Sequence, residues 1–494
     1  MTETPFLPLI ILLTSLLAAP VLFALPERAA RLRTGINLGV AALKLVLVGW
    51  LSWKVGQGVI YDISFEVLPG LEFKLQADPL AILFVSLSAL LWLITTVYSV
   101  GYLESGPHRA RFFGFFSLCV SATVGVAMAG NLFTFLIFYE LLTLATYPLV
   151  IHRGTAESLR AGRIYLIYTL AGGLVLLLGT LALWVLAGTT DFSPGGVLEA
   201  VVAENRLAAQ MLFVVLVGAV GVKAALVPLH AWLPIAMVAP APVSALLHAV
   251  AVVKAGAFGI MRVVYEVFGI ETAQALGMTA PLAALAGITI IYGSLKAITQ
   301  DDIKKRLAYS TVSQVSYITL GVALASPIAA VGALAHLIHQ GLMKITMFMV
   351  AGNLAEGLGV KKVSEMDGVG RRMPGTMLAF SAAALAMIGL PPLAGFVSKW
   401  YLAQGGLDAG AVWVIALLLG SSLLNALYFL PMLQRAWFRD PTDADAPPKQ
   451  RIGWMLAAPP ITTALMVLAV GGFANAPFSP LEWTRFVVAI EYQE

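Results

Sequence analysis

The segment NLFTFLIFYELLTLATYPLV, residues 131–150, carries one charged side chain, Glu140, near its middle. About 20 apolar residues in a row is the length of a helix that crosses a bilayer. A carboxylate at the centre of such a helix costs roughly 2.5–3.5 kcal/mol on insertion scales. That cost needs a partner or a use, and the rest of the chain indicates which.

The chain of 494 residues is 60% hydrophobic and 11% charged, against about 25% charged residues in an average soluble domain. Charge is too scarce to coat a soluble surface, which places the chain among polytopic membrane proteins. A net charge of +4 spread over short loops gives no support to a nucleic-acid partner. Cys119 is the single cysteine. A cysteine-ligated iron–sulfur cluster, a cysteine-rich zinc site and an internal disulfide are thereby excluded. The first apolar run follows MTETP without a basic flank or a clear cleavage site, and reads as a retained helix.

Apolar runs predict about fourteen spanning helices, at about 5–25, 34–54, 79–101, 112–129, 131–151, 163–187, 208–228, 241–264, 274–297, 306–323, 327–352, 373–404, 410–434 and 453–473. Alternate loops hold the basic residues: PERAARLR, ESGPHRAR, HRGTAESLRAGR, QDDIKKR, Lys361 to Arg372, and QRAWFRDPTDADAPPKQR. The intervening loops hold acids instead, with Asp62, Glu66, Glu72 and Asp78 in one and Asp191, Glu199 and Glu204 in another. The positive-inside rule then places both termini on the outer face of a bacterial-type cell membrane. Around Pro69-Gly70, alternating apolar positions within 55–78 predict a short external hairpin.

Five ionisable side chains fall deep inside predicted spans: Glu140, Lys223, Lys254, Lys344 and Lys399. Three histidines accompany them, His248, His336 and His339. Intramembrane ionisable residues usually face a bundle interior and mark an ion path. Each also has a plainer reading, as a structural ion pair, a snorkelling lysine or a packed histidine. Spacing places His336, His339 (or Gln340) and Lys344 close to one helix face. His336 and His339 offer two nitrogens to a metal but no third ligand is evident, and a metal site is not expected.

Pro228 in the seventh span, and Pro391 and Pro392 in the twelfth, each remove a backbone hydrogen bond and predict broken helices. Broken helices in both halves of a chain mark repeat-built transporters. The expected architecture is all-α and integral to the membrane, with two inverted five-helix repeats formed by spans four to eight and nine to thirteen. The expected divisions are an N-terminal three-helix segment at 1–111, repeats at 112–265 and 274–438, and a last helix and tail at 453–494.

NLFTFLIFYELLTLATYPLV, VKAALVPLHAWLPIAMVAPAPVSALLHAVAVVKAG, QDDIKKRLAYSTVSQVSYI and HQGLMKITMF together resemble a known superfamily. It comprises the antiporter-like subunits shared by Mrp-type multisubunit cation/proton antiporters, respiratory complex I and membrane-bound hydrogenases. The resemblance covers nearly the whole chain, and within the superfamily it is closest to the D-type subunit of the Mrp antiporter. It implies that Glu140 and Lys223 act as a pair, and that Lys254, His248, His336, His339, Lys344 and Lys399 continue a polar axis for protons. It also implies other antiporter subunits as partners, the bilayer as surroundings, protons and monovalent cations as cargo, and no cofactor in this chain. Two functions stay open at this point: a subunit of a Na⁺ or other monovalent cation/proton antiporter, or the proton-pumping arm of a redox complex. A structural scaffold is a third reading. No phosphate-binding glycine loop or nucleophile–base set points to a stand-alone enzyme.

Overall fold

The computed structural model describes residues 6–103, 106–441 and 452–491. Both chain ends, and parts of the basic stretches 104–111 and 434–451, lie outside the described residues. Polar N-caps start many of the helices, because a side-chain oxygen there takes an otherwise unpaired backbone N–H. Asp78 accepts from Ala81 N at 2.6 Å, Asn131 from Thr134 N at 2.8 Å and Asp302 from Lys305 N at 2.8 Å.

The N-terminal part holds α1 (Leu7–Ala24), α2 (Ala30–Gly56), the hairpin β1 (Tyr61–Leu68) and β2 (Leu71–Ala77), and α3 (Pro79–Tyr102). The antiparallel hairpin pairs Tyr61 with Ala77 and Leu68 with Leu71, and turns on Pro69-Gly70 as expected. It docks on the chain ahead of the fifth span, where Gly130 N donates to the Lys74 carbonyl at 2.9 Å.

The next helices are α4 (Arg109–Ala127), α5 (Leu132–Val150), α6 (Ala156–Ala187), the short α7 (Glu199–Glu204) and α8 (Arg206–Lys223). After a break come α9 (Trp232–Ile235), α10 (Ala241–Ala249) and α11 (Val252–Arg262), the last continued by a π-helical turn over Val263–Phe268. The second half holds α12 (Ile270–Ala275), α13 (Thr279–Ile298), α14 (Ile303–Ala323), α15 (Pro327–Leu358) and α16 (Val369–Arg372). It continues with α17 (Pro374–Ile388), α18 (Ala394–Asp408) and α19 (Trp413–Phe438). The chain closes with α20 (Trp454–Gly472) and α21 (Pro480–Glu491).

Among the described residues, twelve helical segments are long and apolar enough to cross a membrane, with Ala241–Phe268 counted as one. The two expected spans absent from that set have physical reasons. α14 carries a run of serines, threonines and lysines that lowers its hydropathy. The twelfth expected span is divided into α17 and α18, each of 15 residues.

Other boundaries also moved. α6 begins at Ala156, so Arg160 and Arg163 sit on its first turns rather than in a loop. The expected tail beyond the fourteenth segment contains α21, whose Trp483 Nε1 donates to the Pro79 carbonyl at 2.9 Å. The helix of the seventh expected span, α8, ends at Lys223, five residues before Pro228.

α15 is the central element. It packs against α14, α18, α20, α10 and α17, and nearly all of it is buried. The two halves meet where α10 packs on α15 and α11 on α14.

Candidate functional site

Glu140 lies about two turns into α5, facing α6. A Cβ at Gly173 would come within 2.0 Å of Glu140 Oε1, so a larger residue there would have to move the carboxylate. Glu140 is half-buried and its Oε1 has no hydrogen-bonding partner.

Lys223 is the last residue of α8 and is fully buried. Its ammonium donates to the Tyr139 carbonyl and lies 3.4 Å from the centroid of the Tyr139 ring. The contact with Glu140 expected from the sequence is therefore not made. Lys223 is held one residue away, on Tyr139, and remains within electrostatic reach of the acid. Beyond it the chain leaves the helix, with Ala225 at φ 57° and a cis Val227–Pro228 bond. Trp232 Nε1 closes over the break and donates to the Val222 carbonyl at 2.8 Å.

α11 passes hard against that break. A Cβ at Gly256 would come within 2.1 Å of Ala224 N, which places α11 and its Lys254 beside the end of α8. Lys254 is fully buried and its Nζ has no partner. A second interruption, at Val250 and Ala251, separates it from His248. His248 stacks on Phe348 at 4.4 Å between centroids, and its Nε2 is 3.2 Å from Met237 Sδ.

On α15, His336 Nδ1 is 2.8 Å from Ser398 Oγ and its ring stacks on Tyr317. His339 and Gln340 are fully buried, with no hydrogen-bonding partner for any side-chain nitrogen or oxygen. Lys344 Nζ donates to Ser310 Oγ at 2.6 Å and to the Leu307 carbonyl at 3.3 Å. Lys254 is within electrostatic reach of both His336 and Lys344.

The break at Pro391 and Pro392 contains a cis bond between them and separates α17, which ends at Ile388, from α18, which starts at Ala394. Lys399, on α18, reaches back to the open end of α17. It donates to Met387 O at 3.0 Å, Ile388 O at 2.9 Å and Ser422 Oγ at 3.0 Å. A cation suits a helix C-terminus, where the last carbonyls lack helical donors.

The structure thus joins the sequence candidates in two groups. Glu140, Lys223 and Lys254 gather around the α8 break, while His336, His339, Lys344 and Lys399 lie along α15 and α18. Lys254 stands between the groups, and His248 sits to one side on Phe348. Buried polar atoms in native proteins are almost always satisfied. A file of such atoms without protein partners is therefore suited to water and to exchangeable protons. Among the described residues, no cluster of three or more His, Cys, Asp or Glu could hold a metal ion.

Several buried polar residues escaped the sequence reading. Lys44 on α2 is fully buried, bonded to Ser15 Oγ at 2.5 Å; it sits eleven residues into the predicted second span and carries the same signal as the other lysines. Arg262 is buried against Asp78 at 2.8 Å and against Glu266. Its signal was a pair of opposite charges four apart at the end of an apolar run. Ser310, Asn425 and Tyr428 had no signal beyond being polar within a span.

The family model described as "NADH:quinone oxidoreductase/Mrp antiporter, TM" matches residues 129–425. A second, "NADH-Ubiquinone oxidoreductase (complex I), chain 5 N-terminus", matches residues 69–113. The chain belongs to the NADH:quinone oxidoreductase/Mrp antiporter membrane family. It is 37% identical to an NADH-quinone oxidoreductase subunit N of Desulforudis audaxviator, over 81% of this chain and 78% of that protein. It is 29% identical to the D-type subunit of a Na⁺/H⁺ antiporter of Bacillus subtilis, over 80% of this chain and 77% of that protein. Its fold matches a chain in the Mrp complex of a Dietzia species with a TM-score of 0.89 at 24% identity, covering 100% of this chain and 98% of that one.

Proposed function

We propose that this chain is a proton-translocating, antiporter-like subunit of a multisubunit monovalent cation/proton antiporter. It works with the other subunits of that complex in a bacterial-type cell membrane. The observation that carries the reading is the continuity of the buried groups. Glu140, Lys223 and Lys254 surround one helix break, His336, His339 and Lys344 follow on α15, and Lys399 sits at the other break. A scaffold has no use for so many costly side chains at lipid depth.

In this reading fourteen segments cross the membrane, with α14 and the α17–α18 pair added to the twelve apolar spans. The repeats run from α4 to α11 and from α13 to α19. Both termini lie outside, on the charge distribution of the loops.

The position of Lys223 supplies the step. An opposite charge favours the charged form of each partner, and burial without one disfavours it. With Lys223 next to Glu140, both are held ionised. With Lys223 on the Tyr139 carbonyl, as here, the acid lacks its partner and becomes a proton acceptor. The excess charge beside Lys254 favours release of a proton towards α15. Lys254, His336, His339 and Lys344 relay it through bound water, and Lys399 governs exchange at the far end.

The test is Glu140→Gln in the complete complex, reconstituted in vesicles. Abolished cation-coupled proton movement with normal assembly supports the proposal, and unchanged exchange rates remove the pair from the mechanism. The second reading, a proton-pumping subunit of a complex I-like oxidoreductase or hydrogenase, draws on the 37% identity to a subunit N. The subunit list of the purified complex separates the two. Small antiporter subunits alone support the first, and cluster-binding redox subunits support the second.

A further inference from the structure

A buried hydrogen-bonded chain joins two of the lysines through residues that the axis does not use. Lys344 Nζ donates to Ser310 Oγ at 2.6 Å, and Ser310 Oγ is 2.9 Å from the Tyr428 hydroxyl. Tyr428 donates to Asn425 Oδ1 at 2.6 Å, and Asn425 Nδ2 donates to Met387 O at 3.2 Å. Lys399 donates to that same carbonyl at 3.0 Å. Ser310, Asn425 and Tyr428 are all fully buried. They come from α14 and α19, neither of which carries a lysine of the axis.

The direction of every hydrogen in this chain is fixed by one end. An ammonium only donates. While Lys344 is charged, Ser310 accepts from it and must turn its own hydrogen to Tyr428, which turns its hydrogen to Asn425. The amide then faces Tyr428 with its oxygen, and its N–H groups point to Met387 O, where Lys399 also bonds. A neutral Lys344 has a lone pair and can accept. Ser310 and Tyr428 can then both turn back. The turned Tyr428 oxygen needs a donor, which Asn425 supplies by turning over. The amide oxygen now faces the Met387 carbonyl. Two acceptors can stay together there only if Lys399, already bonded to that carbonyl, supplies the hydrogen between them.

We propose that Ser310, Tyr428 and Asn425 form a two-orientation hydrogen-bond chain that couples the charge on Lys344 to the charge on Lys399. With Lys344 charged, Asn425 presents N–H groups towards Lys399 and disfavours a second ammonium. With Lys344 neutral, it presents an oxygen and favours one. The chain holds the same number of hydrogens in both orientations, so no net proton crosses it. Each lysine exchanges its proton with its own surroundings. Tyr428 and Asn425 are positioning residues that make the two lysines take turns. This rests on the reading that the lysines exchange protons.

Other charges bear on the same groups. His336 and His339 share α15 with Lys344. Lys254 and His248 reach it from α11 and α10. Arg306 of α14 donates to the Tyr428 carbonyl at 3.0 Å, and Tyr317 lies beneath Lys399 at 5.4 Å. A change in pH response at one site could thus come from any of them. The test therefore cuts the chain at two links that touch neither lysine side chain, with Tyr428→Phe and Asn425→Leu.

The complete complex carrying each variant is reconstituted in vesicles, and initial transport rates are followed across pH. Both variants are expected to assemble. Both should show the same displaced pH profile, moved by about half a unit or more because the coupled steps become independent. An unchanged profile for Tyr428→Phe overturns the proposal, and so do two different displaced profiles. If Asn425→Leu fails to assemble, Tyr428→Phe, which removes a single oxygen, decides alone. Glu140→Gln is run beside them. If it leaves transport intact, the underlying proton-axis reading fails. If it abolishes transport while Tyr428→Phe changes nothing, only the coupling chain is lost.

Discussion

The Glu140 carboxylate rests on Gly173 of the neighbouring helix, where a methyl group would lie 2.0 Å from its oxygen. The acid therefore has a seat on α6, while Lys223 is held on Tyr139. Gly173→Ala is expected to push the carboxylate out of that seat without removing a charge. A displacement of that size costs about a hundredfold in rate where geometry carries the chemistry. Vesicle transport should fall by about that factor with assembly unchanged. Full activity in Gly173→Ala would show that the position of Glu140 has no bearing on turnover.

Lys399 does two things at once, and substitutions can separate them. It satisfies the carbonyls of Met387 and Ile388 at the end of α17, and in our reading it exchanges a proton. Lys399→Met leaves buried carbonyls without a donor, at about 1–3 kcal/mol, and should lower the melting temperature of the complex. Lys399→Arg keeps a donor at the helix end but stays protonated. It should melt near the parent and still fail to transport. An arginine variant with normal transport would assign Lys399 to the helix end only.

Residues 131–150 were enough to fix the class of fold, because hydrophobic length is a local property of sequence. The N-caps at Asp78, Asn131 and Asp302 and the Pro69-Gly70 turn are local too, and each could be read in the same way. Pro391 and Pro392 located one break because a missing N–H acts where it stands. The break in the seventh span contains Pro228 as expected but begins five residues earlier. The helix stops at Lys223, where α11 crosses at Gly256, and that crossing is a tertiary event. The interruption at Val250 and Ala251 has no proline or glycine to announce it. The lysines were legible because a charge in an apolar run is conspicuous alone. The chain through Ser310, Tyr428 and Asn425 was not, since its three members come from two distant helices and mean something only together. Lys44 had the same signal as the others and was missed because the second span also carries basic residues at both ends.

The hairpin offers a pH test outside the membrane. Burial works against the charge on Lys74, but hydrogen bonds and attraction from Asp191 and Asp62 outweigh it and hold the amine above its ordinary range. Its Nζ lies 3.2 Å from Asp191 and 3.5 Å from Asp62. A group with a raised folded value adds stability that is complete below its unfolded value, about 10.4 for lysine, and is lost as pH rises through the folded value. Protease nicking between β1 and β2 should therefore be slow at neutral pH and rise in the alkaline range above pH about 10. In Lys74→Met the hairpin should be nicked already at neutral pH. Equal nicking of parent and variant at neutral pH would show that the Lys74 ion pairs do not hold the hairpin, and that its bonds to Met128, Gly130, Asn131 and Thr134 suffice.

Lys44 calls for the opposite expectation. It is fully buried between α1, α2 and α3, bonded to Ser15 Oγ and lying 5.1 Å from the centre of the Trp92 ring. No carboxylate lies within ion-pair distance of it among the described residues. Replacing a buried ionic group with an apolar one of similar size is often neutral or stabilising. Removing it takes one donor from Ser15, which still keeps its 2.6 Å bond to Ser121. Lys44→Met should therefore assemble, melt at or above the parent temperature and transport normally, because Lys44 lies in the N-terminal helices away from the axis. Lys44→Ala, which leaves a cavity, should melt lower and also transport at the parent rate once assembled. A Lys44→Met complex that assembles but does not transport would bring Lys44 into the proton path and extend the axis into α2.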